Sequence, residues 1–386
     1  MSARHFVLAA GGTGGHMVPA AALAAELTRR GHRVALVSDP RGVRFPGLFP
    51  EGPGAIQTHV IPAGRFQAKR PQGWAAAVRD MLAGRAMARE LLRTFRPEAV
   101  VGFGGYPAFP ALLAAFAEKI PTAIHEQNAV LGRVNRLVAR RVDAIATSYE
   151  QTARLSPAHA GKTRLVGNPV REAVLALRDR PFPLLEEDGI FRVLVTGGSQ
   201  GASILSRVVP DGLAMLPVTL RRRLQVTHQA RIEDIDAVRA KYAEHQIPAT
   251  CATYLADMPD ELAWAHLVIA RAGASTIAEL TAAGRPAILV PLPGATDDHQ
   301  TANAREITRA GGARTIAQPT FTPVELAKQM QRLGLDPEAL ENAAGRARSV
   351  GRPHAVRDLA DLVERIGAPP ARLPVTVAPA KQMAFA

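Results

Sequence analysis

Short apolar runs recur along the whole chain. Each is closed by glycine or a polar cluster, and each is followed by a stretch in which apolar side chains return every three or four residues. Runs at 4–9, 33–38, 57–61, 98–103, 122–124 and 142–147 therefore read as buried strands, with helices between them. The alternation restarts in the second half, with strand patterns at 191–196, 224–229, 252–255, 266–270 and 287–291. Between the two series, Gly167-Asn168-Pro169-Val170-Arg171 and Pro181-Phe182-Pro183 read as a linker. The economical reading is two α/β domains of one plan, each opening with strand, double-glycine turn and helix. The boundaries expected are 1–168 and 169–350, then a helix at 351–366 striped with Val356, Leu359, Leu362, Val363 and Ile366. The Pro- and Ala-rich tail, 367–386, reads as disordered.

A helix is expected from Trp74 to Phe95, with Trp74, Val78, Met81 and Leu82 at helical spacing beside a row of Arg85, Arg89 and Arg93. Such a stripe packs on its own domain, as is usual for a surface helix, or lies on an anionic lipid surface. Net charge sharpens the question. The 386 residues carry +13, a surplus that attracts nucleic acid or the anionic leaflet of a membrane. No basic-plus-aromatic platform or recognition motif supports nucleic acid as a partner. Apolar residues make up 47 % of the chain, yet no run reaches bilayer length and the start shows no signal-peptide pattern, so a cytosolic protein is expected. The single Cys251 excludes an intramolecular disulfide and a cysteine-based zinc cage.

The chemistry concentrates between His266 and Asn303. A strand feeds the small-residue turn Arg271-Ala272-Gly273-Ala274-Ser275-Thr276, where backbone N–H groups can approach a ligand and a helix start presents its positive dipole end. Phosphate suits that spot. Glu279, one turn on, would repel it unless it faces something else, such as a diol. A further strand then reaches Asp297-Asp298-His299-Gln300, completing the outline of a nucleotide-sugar pocket. The first turn, Gly11-Gly12-Thr13-Gly14-Gly15-His16, is not a dinucleotide fingerprint, because the third glycine would fall at Met17, and it lacks a P-loop ending. Asp39, after the next strand, stands where a ribose-binding acid would. The other polar clusters, Gly104-Gly105-Tyr106 and His125-Glu126-Gln127-Asn128, also follow strand ends, which in an open parallel sheet line one crevice.

Taken in order, the two double-glycine turns, the His125–Asn128 cluster, the Gly167–Arg171 segment, Gly197-Gly198-Ser199-Gln200-Gly201-Ala202 and the 271–279 run closely resemble the MurG family of bacterial glycosyltransferases. The resemblance spans about residues 4 to 365. It implies an α/β fold of GT-B type, two Rossmann-like domains facing a cleft, with the last helix crossing back to the first. It implies inverting transfer of N-acetylglucosamine from UDP-GlcNAc to the lipid I acceptor, forming a β-1,4 linkage and lipid II at the cytoplasmic face of the plasma membrane. By the same resemblance Thr13, Gly14, Gly15, Asn128, Arg171, Ser199 and Gln300 bind the UDP-sugar. Leu255 and the run Ala274, Ser275, Thr276, Ile277, Ala278 and Glu279 hold uracil, ribose and diphosphate, and Tyr106 lies on the acceptor side. The chain departs from the family in carrying Ala108 where serine is common and Ala230 where glycine is common.

Inverting transfer needs one base for the attacking hydroxyl and a means of stabilising the departing diphosphate. Helix starts at Ser199 and Ser275, with Arg171, can neutralise that charge, and no Asp-x-Asp motif stands ready for a metal; no cofactor is therefore expected. His16, past a glycine turn at a strand end, is the expected base, with Glu126 as competitor. Competing classes are a UDP-N-acetylglucosamine epimerase, which would use the donor without a lipid acceptor, and a basic nucleic-acid-binding protein. Other cell-wall synthesis proteins are possible partners.

Overall fold

Apolar strands alternating with helices can bury both faces only when the strands run parallel and the helices cross over them. The computed structural model, which describes residues 3–42, 48–49, 56–64, 74–186, 188–198, 201–334 and 336–368, has this arrangement twice. The first series is β1 (His5–Ala9), α1 (Gly14–Arg29), β2 (Arg33–Ser38), β3 (Gln57–Val60), α2 (Trp74–Phe95) and β4 (Ala99–Gly102). It continues with α3 (Ala108–Ala117), β5 (Thr122–Glu126), α4 (Arg133–Val138), β6 (Ala144–Thr147), β7 (Thr163–Leu165) and α5 (Glu172–Leu175).

The second series starts with β8 (Phe191–Thr196), α6 (Ser203–Ala214), α7 (Val218–Arg221), β9 (Leu224–Gln229), α8 (Ile235–Glu244) and β10 (Ala249–Ala252). Then come α9 (Met258–Trp264), β11 (Leu267–Ala270), α10 (Ala274–Ala283), β12 (Ala287–Leu289), α11 (His299–Ala310) and β13 (Ala313–Thr315). Three helices close the chain: α12 (Pro323–Gly334), α13 (Pro337–Ser349) and α14 (Ala355–Ile366).

Every pairing is parallel, in the orders β3-β2-β1-β4-β5-β6-β7 and β10-β9-β8-β11-β12-β13. In each sheet the order reverses beside its first strand, and the loops after β1 and β4, or after β8 and β11, open there into a crevice. Strand β1 shows how the pattern builds the layers. Phe6 and Leu8 pack on one face with Leu23 and Leu27 of α1, whereas Val7 and Ala9 pack on the other with α2 and α3. Each such buried leucine or phenylalanine contributes about 1.5–3 kcal/mol from water exclusion. Helix α14 joins the first sheet's layer through Leu359, Leu362 and Val363, and Arg30 of α1 pairs with both Asp361 (2.6 Å) and Glu364 (2.8 Å).

Several expectations shift. The strand expected at 252–255 ends at Ala252, because beyond it the chain leaves the ladder and turns Tyr254 outward, 68 % exposed. Strands β7 and β13 were not expected; they are three-residue sheet-edge elements, Thr163-Arg164-Leu165 and Ala313-Arg314-Thr315, with no apolar run to betray them. The stripe expected on α2 is split, with Met81 half-buried and the other three members largely exposed. Ala77, Gly84, Ala88, Leu91 and Leu92 are the helix's buried side, while Trp74, Val78 and Leu82 remain 48, 41 and 57 % exposed. No helix among the described residues is long and apolar enough to cross a membrane. Of the tail, residues 369–386 lie outside the described ones.

Candidate active site

Between the two sheets opens a cleft of about 1490 Å³, larger than the roughly 300–1,000 Å³ that one small ligand fills. The loops after β1, β4 and β5 line one wall, and those after β8, β11 and β12 the other. Helices α1 and α10 touch across it, so their N-terminal turns share the space. Thr13, Gly14, Gly15, His16, Tyr106, Glu126, Asn128, Arg171, Leu255, Ala274, Ser275, Thr276, Glu279 and Gln300 all line it. Ile277 and Ala278 do not. On α10 the residues facing the cleft recur at helical spacing, 275, 276 and 279, which turns Ile277 into the core and Ala278 toward a small separate cavity. Ser199 lies outside the described residues.

On the first wall the carboxylates, His125 and Gln127 are satisfied within the protein, while Asn135 Oδ1 is buried without a partner among the described residues. Asp39 is buried and accepts from the backbone N–H of Gly12 and Gly42, both at 3.0 Å, and from Arg41. It pins the first glycine turn rather than facing a ribose. Glu126, 2 % exposed, accepts from Gly132 N–H (2.7 Å), Asn135 Nδ2 (2.8 Å), Asn128 N–H (3.0 Å) and Asn128 Nδ2 (3.3 Å). Four donors occupy its lone pairs, so it organises the 127–135 loop and is poorly placed to take a proton from a substrate. His16, in the first turn of α1, packs its ring against the second double-glycine turn. A Cβ on Gly104 or Gly105 would stand 3.3 Å from that ring, and both glycines hold positive φ, +83° and +74°. Its Nδ1 lies 3.1 Å from Gln127 Oε1. Burial lowers the His16 pKa below its ordinary 6.5, opposed by the Gln127 hydrogen bond, the Glu126 charge and the Phe103 carbonyl. A histidine so shifted is neutral at pH 7 and available as a base. Ala108, where a serine hydroxyl would stand, is fully buried at the start of α3.

The second wall differs in leaving buried donors unpaired beside a helix start. Gly273 caps α10 in extended conformation, and Ser275 Oγ behind it is buried with no hydrogen-bond partner among the described residues. Arg171 Nε is buried and unpartnered in the same way, while its NH2 pairs with Glu279 at 2.8 Å. Burial raises the Glu279 pKa, and Arg171 opposes that shift. Buried donors without a protein partner beside a helix start are groups that can hydrogen-bond an anion. Gln300 is on the first turn of α11 rather than in a loop, and accepts from Leu292 N–H at 2.9 Å.

Two contacts across the cleft were not anticipated. Asn303 is fully buried; its Oδ1 accepts from Ala129 N–H (2.7 Å), and its Nδ2 donates to Asn128 Oδ1 (3.1 Å) and Ala272 O (3.3 Å). Asp297 bridges Arg136 and Arg154, each at 3.0 Å, from a left-handed turn in which Asp297 and Asp298 hold φ of 57° and 52°. It is thus a tie between the halves. Nothing local in sequence signals such long-range partners.

The Glycosyltransferase family 28 N-terminal domain matches residues 6–147 and the Glycosyltransferase family 28 C-terminal domain residues 192–363. The UDP-N-acetylglucosamine–N-acetylmuramyl-(pentapeptide) pyrophosphoryl-undecaprenol N-acetylglucosamine transferase of Erythrobacter litoralis is 64 % identical over 94 % of this chain and 90 % of its own. The enzyme of the same name from Novosphingobium aromaticivorans is also 64 % identical, over 95 % of this chain and 93 % of its own. The crystal structure of Acinetobacter baumannii MurG superposes with a TM-score of 0.74 at 31 % identity, covering 94 % of this chain and 99 % of that one. Two parallel sheets, a cleft between them and both domain matches in order leave one conclusion: the chain belongs to glycosyltransferase family 28, and within it to the MurG family.

Proposed function

We propose that the chain is an inverting hexosyltransferase that moves N-acetylglucosamine from UDP-GlcNAc to the 4-hydroxyl of the muramyl sugar of undecaprenyl-diphosphate-linked MurNAc-pentapeptide, converting lipid I to lipid II in peptidoglycan synthesis. The observation that carries this is the asymmetry of the cleft: a neutral histidine on one wall faces a helix start with orphaned donors on the other. The names of the full-length relatives support the same donor and acceptor.

In this reading the diphosphate sits at the N-terminus of α10, where Ser275, Thr276 and backbone N–H groups meet it, with Arg171 beside it. Glu279 takes the ribose diol, and Leu255 packs on uracil. Thr13, Gly14, Gly15, Asn128 and Gln300 surround the sugar. His16 accepts the proton of the attacking hydroxyl as the C1–O bond to the diphosphate breaks, and the helix dipole and guanidinium stabilise the oxygen that leaves. Tyr106 lines the acceptor side. The exposed face of α2, with Trp74, Val78 and Leu82 beside arginines, is the surface we assign to the anionic leaflet where a lipid-linked acceptor must be met.

The test is incubation with radiolabelled UDP-N-acetylglucosamine, with and without a lipid-linked muramyl peptide. Label entering the lipid fraction only when acceptor is present supports the proposal. Donor consumed without acceptor would instead mark an epimerase.

A further inference from the structure

Gln127 lies in the middle of the 125–128 cluster, is 1 % exposed, and touches both histidines of the first wall. Its hydrogen bonds can be followed outward from a group whose role is fixed. The Gly167 carbonyl can only accept, and His125 Nε2 lies 2.9 Å from it, so Nε2 carries the proton. Burial lowers the His125 pKa to about 4, so the ring is neutral and its Nδ1 is an acceptor. Gln127 Nε2 sits 3.0 Å from that Nδ1 and 3.1 Å from the His125 carbonyl. Two acceptors there require the NH2 end of the amide, which fixes its orientation. The other end, Oε1, faces His16 Nδ1 at 3.1 Å and can only accept. His16 therefore carries its proton on Nδ1, and its lone pair is on Nε2.

We infer that Gln127, anchored by His125 on the Gly167 carbonyl, is a positioning residue that holds His16 in the Nδ1–H tautomer and so leaves Nε2 as the basic atom. The inference rests on the proposed role of His16 as base and adds how that base is set. The anchor is itself fixed: Gly167 has φ of +95°, and a Cβ there would stand 2.7 Å from Arg352 Cβ and 3.0 Å from Ala355 Cβ. The charged and titratable groups acting on His16 are Glu126 and His125 from β5 and His299 from α11, and the Phe103 backbone carbonyl is a second hydrogen-bond acceptor against the ring. The Gln127 oxygen is the acceptor seen directly on a named ring atom, Nδ1.

The tautomer can be read in the unmodified protein by ¹⁵N-histidine NMR at neutral pH, assigning His16 by its loss in His16→Ala. The expected spectrum shows Nδ1 protonated and Nε2 not; the reverse would overturn the inference. Kinetics supply a second readout. Gln127→Leu should lower the plateau kcat roughly tenfold, the size expected when one neutral hydrogen bond sets the competent state, with KM for donor and acceptor nearly unchanged. Since the Gln127 bond raises the His16 pKa, its loss should also move the acid limb of the kcat profile to lower pH. In the His16→Ala background the same change should do nothing further. If His16→Ala turns over normally, the base assignment itself fails. If His16→Ala is slow but Gln127→Leu keeps the wild-type plateau and acid limb, only the relay fails.

Discussion

The two walls of the cleft are built on opposite principles, although each begins with the same strand, double-glycine turn and helix. On the α1 wall, Asp39, Glu126, Gln127 and His125 spend their hydrogen bonds on one another, on neighbouring side chains and on the backbone, so His16 is held in place before any ligand arrives. On the α10 wall, Ser275 Oγ and Arg171 Nε are buried without partners. The first wall holds its histidine in a preformed network; the second keeps buried donors that nothing among the described residues engages. The difference teaches that repeated folds can be divided by hydrogen-bond satisfaction even where their topology is the same.

Substitutions can break that division. The largest effect is expected from His16→Ala, which should lower kcat about 10²–10⁴-fold with little change in donor KM, because general-base assistance is lost while the receptor wall is untouched. Steady-state kinetics with saturating acceptor check it. Next is Glu126→Gln, whose amide nitrogen would confront donors that now meet carboxylate oxygen. A loss of roughly 2–4 kcal/mol in denaturant unfolding is expected, with the acid limb of the kcat profile kept but moved to lower pH, because the Glu126 charge that raises the His16 pKa is gone; a limb that vanished would restore Glu126 as base. Arg171→Ala should raise the donor KM about 10–100-fold, as for loss of a charge-assisted hydrogen bond, and leave the acid limb alone.

Acidification probes both halves together. Burial lowers His125 in the first and His228 in the second to about 4, from an ordinary 6.5. Between those values the unfolded chain binds protons that the native one refuses. Stability should thus be intact above pH 6.5 and fall as pH drops toward 4, by about 1.4 kcal/mol per pH unit for each histidine. Urea unfolding at stepped pH would show it; a flat profile would mean that these rings are not buried and neutral. The smallest effect belongs to Ser275→Ala: a donor KM raised about 2–10-fold, with unliganded stability unchanged or slightly higher, since an unpaired buried hydroxyl is removed.

Much of this could be read along the chain. Strands β1, β2, β8 and β9 and helices α2, α12 and α14 have strong enough periodicity to place them, and strand ends with glycine turns mark crevice residues from His16 to Ser275. Edge strands β7 and β13 escaped because three residues with an arginine in the middle carry no apolar signature. The ties through Asn303 and Asp297 escaped because they join residues more than a hundred positions apart. The surroundings of Glu126 are hidden for a different reason. A carboxylate at a strand end looks reactive until its donors, Gly132 and Asn135, are brought round by a loop whose path composition does not reveal. Ile277 was counted with its neighbours although the helical period points it into the core.

The division between the walls is tested most directly by calorimetric titration of UDP into the unmodified protein, His16→Ala and Arg171→Ala side by side. The account predicts that His16→Ala binds UDP as tightly as the unmodified chain, while Arg171→Ala binds it at least tenfold more weakly, by about 1.4 kcal/mol or more. Loss of UDP binding in His16→Ala with Arg171→Ala unaffected would place the nucleotide on the other wall and contradict it.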